Sequence, residues 1–184
     1  MVELLLATGK FDVNSKNRNG STPLFAAVDH GRKEIVKLLL TINKVDVDPK
    51  DQVFGNTLLL QAASNGDMEI VELLLATSKV DVNSKNRDGS TPLSRAVREG
   101  QVEVTKLLLA RDDVQANSKS NEGLTLLSEA AWMANRKREM LELLLITNKV
   151  DPKLKDNNGM TPLDHAKRYG WRDGVVLLER HLFT

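Results

Sequence analysis

Apolar residues in this chain fall into two kinds of block that alternate along its length. One kind is short and alanine-rich, as in Ala26-Ala27, Ala62-Ala63 and Ala130-Ala131. The other ends in three leucines: Leu38-Leu39-Leu40, Leu73-Leu74-Leu75, Leu107-Leu108-Leu109 and Leu143-Leu144-Leu145. In the second kind Val, Ile and Leu recur at helical spacing, which marks a helix with one face turned to a packed layer. Polar runs such as Ser84 to Asp88, closed by Gly89, separate the blocks and read as turns. The longest apolar runs are about five residues, such as Val71 to Leu75 with Glu72 inside. None approaches the ~20 residues that cross a bilayer.

The blocks belong to one repeated unit. Thr22-Pro23-Leu24, Thr57-Leu58-Leu59, Thr91-Pro92-Leu93, Thr125-Leu126-Leu127 and Thr161-Pro162-Leu163 recur with their threonines 35, 34, 34 and 36 residues apart. A glycine stands two residues before each threonine, at Gly20, Gly55, Gly89, Gly123 and Gly159. Another follows nine residues after four of them, at Gly31, Gly66, Gly100 and Gly170. Each element has a physical reason. Threonine can cap a helix N-terminus, and proline at the first helical position forfeits no hydrogen bond. Alanines keep this first helix thin, so that neighbouring units approach closely. The later glycine ends the helix in a left-handed conformation.

This pattern resembles the ankyrin repeat, and the resemblance covers the whole chain. It implies an all-α fold: an ankyrin-repeat solenoid of stacked helix-turn-helix units with projecting β-turn or hairpin loops. The chain then forms one domain over 1–184, with a partial repeat at 1–16, full repeats at 17–51, 52–85, 86–119 and 120–155, and a capping repeat at 156–184. The link Ala-Thr-Ser-Lys-Val-Asp-Val-Asn-Ser-Lys (76–85) resembles those of ankyrin arrays in filamentous fungi. The nucleotide-binding module that often precedes such arrays has no counterpart, since no G-x-x-x-x-G-K-[ST] occurs.

Three departures matter. Met1 to Leu6 matches the second helix of a repeat whose first helix is missing. That points to a fragment of a longer array, or to an open apolar face that drives self-association. In the fourth full unit the glycine is lost and Trp132 to Arg138 fills an insertion between the helices. In the last unit Gly174 falls inside the second helix, weakening it by about 1 kcal/mol relative to Ala, so this segment reads as a C-terminal cap.

Composition narrows the function classes. Net charge is +1, from 26 Lys+Arg and 25 Asp+Glu, which gives no bulk attraction to nucleic acid or membrane. Cysteine is absent, which excludes disulfides and thiolate metal sites and fits an intracellular setting, cytoplasmic or nuclear. No G-x-S-x-G elbow occurs, and His30, His165 and His181 lie in different units without metal-ligand spacing. No catalytic residue, metal or cofactor is expected. His165 reads as a structural group bonding within the Thr-Pro-Leu turn.

The resemblance implies a protein-protein interaction module, not an enzyme, which grips a protein partner through its concave face and projecting turns. Positions counted from each threonine place Arg18, Asp29, His30, Phe54, Arg87, Arg98, Glu99, Trp132, Met133, Arg168 and Tyr169 on that face, with Phe25 one turn away. Aromatic and arginine side chains there are of the types that dominate binding energies. Two alternatives stand beside this. Trp132 could pack over its own insertion and Phe54 over the adjacent turn. A self-associating structural segment, a small-molecule binder or an enzyme using the concave face are the competing functions. The mixed charges speak against a nucleic-acid surface.

Overall fold

The computed structural model describes residues 12–132 and 138–182, and these are helical with no strands among them. The orphan helix expected at residues 1–6 and most of the insertion at 133–137 lie outside the described residues. Ten helices follow in pairs: α1 (Pro23–Asp29) and α2 (Lys33–Leu40), α3 (Leu58–Asn65) and α4 (Met68–Ala76), α5 (Pro92–Glu99) and α6 (Val102–Leu109), α7 (Leu126–Trp132) and α8 (Arg138–Ile146), α9 (Pro162–Arg168) and α10 (Arg172–Leu182). Each helix packs on its own partner and on its counterpart in the next pair, so the odd-numbered helices form one layer and the even-numbered helices a second. The stacked solenoid is therefore observed, with turns in place of hairpin strands.

Every repeated threonine caps as its position predicts. Thr22, Thr57, Thr91, Thr125 and Thr161 each accept, through Oγ1 at 3.2 Å, the amide N–H three residues on. At Thr91 and Thr161 the side chain of Ser94 or Asp164 bonds back to the threonine amide, closing a capping box. Gly66 and Gly100 cap α3 and α5 with φ of 80° and 81°, in the left-handed region.

The core is thin and aliphatic, as the block pattern requires. Ala62, Ala63, Ala96, Ala130, Ala131 and Ala166 are fully buried between the odd-numbered helices, and Leu39, Leu74, Leu108 and Leu144 seal the even-numbered ones. Phe25 is 7% exposed and belongs to this core. Gly174 has a role beyond helix weakening, because a Cβ at that position would run into the indole of Trp171.

A candidate partner-binding face

Before each odd-numbered helix the chain makes a turn whose first side chain ties it down. Asn17 Oδ1 accepts the amides of Asn19 and Ser21, Asn86 Oδ1 those of Asp88 and Ser90, and Asp156 Oδ1 those of Asn158 and Met160. Asp51 uses both oxygens, Oδ1 for Val53 and Phe54 and Oδ2 for Asn56. These Asx turns fix each loop locally. A second set of bonds fixes the loops to one another. The amides of Arg87, Asn121 and Asn157 donate to the carbonyls of Phe54, Asp88 and Glu122 at 2.9, 3.0 and 3.2 Å. Asn121 Nδ2 adds a bond to the Arg87 carbonyl at 2.7 Å, and Asn157 Nδ2 one to the Asn121 carbonyl at 2.8 Å. The tips from the second unit to the last thus form a hydrogen-bonded ladder.

Between this ladder and the odd-numbered helices lie three grooves in series. The first, about 360 Å³, is lined by Phe25, Asp29, Phe54 and Arg95 among others. The second, about 310 Å³, is lined by Asp88, Arg98, Glu122 and Trp132. The third, about 440 Å³, is lined by Trp132, Met160, His165, Arg168 and Tyr169. Trp132 borders the second and third and joins them.

The residues singled out from the sequence divide on this surface. Phe54, Trp132 and Tyr169 remain 57%, 42% and 45% exposed. Trp132 meets Tyr169 of the following unit, with ring centroids 6.5 Å apart. Tyr169 in turn stacks on His165 at 6.3 Å and 6°. Arg168 at the end of α9 donates to Met160 Sδ at 3.4 Å, which holds its guanidinium over the third groove. Phe25 supports the first groove from within the core, where its side chain is buried. Arg87 donates from its guanidinium to the Val53 carbonyl at 2.9 Å and so serves the ladder. Arg18, His30 and Glu99 line none of the three grooves. His30 bonds back to the Ala26 carbonyl at 2.9 Å. Met133 lies outside the described residues.

His165 keeps a structural role, with a different partner. Its Nε2 lies 2.9 Å from Asp156 Oδ2, bracing the projecting turn, while Asp164 makes the bonds within the Thr-Pro-Leu turn. Burial raises the Asp156 carboxyl, but the Met160 amide, the His165 ring and the Asn158 amide outweigh it and hold the group below its ordinary value. The groove floor was the part missed. Gln61, Glu129 and His165 share with Arg95 the position four after each threonine, and all line grooves. The signal lies in the sequence: Arg95, four after Thr91, stands one helical turn before Arg98 and Glu99 on the same helix.

Paired helices stacked in register, with a ladder of turns along one edge, define a repeat-built scaffold. Among the described residues no group of His, Cys, Asp and Glu is placed to hold a metal ion, and no helix is long and apolar enough to cross a membrane. Ankyrin-repeat profiles of three copies match residues 1–51 and 39–120, and one of many copies matches 108–166. The chain belongs to the ankyrin-repeat family. In the crystal structure of EF0377, an ankyrin repeat protein, the similarity reaches a TM-score of 0.88 at 27% identity, over 97% of this chain and 90% of that one. No curated protein matches. With 640 solved chains matching, the fold is shared too widely to select a partner. Ankyrin repeats are in general protein-protein interaction modules, typically scaffolds without enzymatic activity.

Proposed function

We propose that this chain binds a protein partner through the concave face its grooves and turn ladder form, with the Trp132–Tyr169 end as the anchor. One observation carries the reading. Two half-exposed aromatic rings from successive units meet over a groove whose wall is a rigid hydrogen-bonded ladder. Rings fixed in place before binding lose little freedom on association, so their burial converts to affinity more fully than that of mobile groups. Arg168 and Glu122, which both line the third groove, supply orientation, and Phe54 extends the contact along the stack. The link at 76–85 supports a place among arrays of the filamentous-fungal type.

Capture from lysate by the wild type, by Trp132→Ala with Tyr169→Ala, and by Phe54→Ala tests this. All three side chains are partly exposed, so the variants should fold like the wild type by circular dichroism. Loss of the captured protein in the double variant, with partial loss for Phe54→Ala, is the expected outcome. Retention of the same protein at the same level by the double variant refutes the anchor.

A further inference from the structure

In the links, three residues before the start of each projecting turn, asparagines tie one unit to the next by a repeated two-bond clasp. Asn14 donates from Nδ2 to the Lys44 carbonyl at 2.7 Å and accepts the Asp46 amide at Oδ1 at 2.8 Å. Asn83 does the same with the Asp113 carbonyl at 2.7 Å and the Gln115 amide at 2.8 Å. Asn117 repeats it with the Lys149 carbonyl at 3.2 Å and the Asp151 amide at 2.8 Å. In the link between these, Val45-Asp46-Val47-Asp48, the asparagine position holds Asp48.

In each clasp the bonded carbonyl stands two residues before the bonded amide. The Asp81 amide donates to the Asp48 carboxylate. By analogy with the three asparagine clasps, the same two-residue offset assigns the Lys79 carbonyl to its second oxygen. That oxygen, Oδ1, is buried with no hydrogen-bond partner. An asparagine offers an N–H there, whereas an ionised aspartate offers only a lone pair to face a carbonyl. A protonated aspartate offers an O–H, which restores the missing bond.

We propose that Asp48 is a proton-operated clasp between the first and second complete units, closed by an O–H donated to the Lys79 carbonyl and opened by ionisation. The charges around it are consistent. Burial pushes the Asp48 carboxyl up, Asp81 and Asp46 push it further, and Lys50 acts against them. The Lys50 ammonium is turned to the Lys85 carbonyl at 3.0 Å. Three residues on from Asp48 lies Asp51, which shapes the turn bearing Val53 and Phe54, so the clasp governs how firmly that stretch of the binding edge is held.

The sign follows from linkage. A carboxyl raised in the folded state binds its proton more tightly folded than unfolded. Its contribution is full below the ordinary value of 3.8 and is lost as pH rises through the raised folded value. Asp48→Asn keeps the clasp closed at every pH. Urea unfolding of wild type and Asp48→Asn between pH 4 and 8 is the test. At pH 7.5 the variant should have the larger folding equilibrium constant by about tenfold, the cost of one buried unsatisfied group, and the gap should close toward pH 4. A gap of the same size at both ends, or a variant less stable than wild type at pH 7.5, overturns the proposal. Carbon-detected NMR titration of Asp48 in the wild type gives a second reading that needs no variant: a midpoint above 3.8 supports it, and one at or below that value overturns it.

Discussion

Gly174 shows how a residue's cost in isolation can reverse in context. Helix propensity favours Ala at this position by about 1 kcal/mol. Yet the Trp171 indole lies where the new methyl would go, at the start of the same helix. We expect Gly174→Ala to lower the midpoint of thermal unfolding, as overpacked sites cost about 1–3 kcal/mol. A raised midpoint would show that propensity wins. Asn157 is a second case. By position it is a turn residue whose loss should cost under about 0.5 kcal/mol. Its Nδ2, however, joins its own turn to that of the preceding unit. Asn157→Ala should therefore cost about 0.5–1.5 kcal/mol in urea unfolding, the net value of a single intramolecular hydrogen bond. Neither effect was legible in the sequence, because both depend on what stands opposite the residue.

Helices and turns were the more legible scale. The repeated logic of caps, thin alanine helices and leucine-rich helices needs only residues within one unit, and the Thr caps and left-handed Gly66 and Gly100 follow it. Leu74 in α4 is fully buried, so Leu74→Ala should cost about 2–5 kcal/mol by denaturant unfolding. The Asp156–His165 brace makes the last turn sensitive to acid. Its carboxyl is held below the ordinary 3.8, so the stabilisation is present above that value and is lost as pH falls through the lower folded value. Exchange of the Met160 and Asn158 amides, both bonded to Asp156, should accelerate below that pH beyond what intrinsic chemistry predicts. Unchanged protection factors would contradict it. Asp48 titrates with the opposite sign, so the two sites respond to acid in opposite directions.

For the molecule as a whole, stability should behave as a sum over units and their interfaces, since helices pack on those of their own and adjacent pairs. Leu59 and Leu178 are both fully buried, but Leu59 lies in a pair flanked on both sides and Leu178 in the final described helix. We expect Leu59→Ala to cost more than Leu178→Ala in urea unfolding, and the reverse order would count against nearest-neighbour additivity. What the sequence determined by itself was everything that recurs at short range: the helical pairs, their caps, the thin core and the family. Those features depend on residues a few positions apart, whose spacing a linear chain displays directly. Tertiary structure decided what depends on residues some thirty to forty positions apart. It turned Phe25 inward, drew Arg87 into the ladder, set Trp132 against Tyr169 and left one Asp48 oxygen buried without a partner. The stacking register alone brings those groups together, and it exists only once the units have packed.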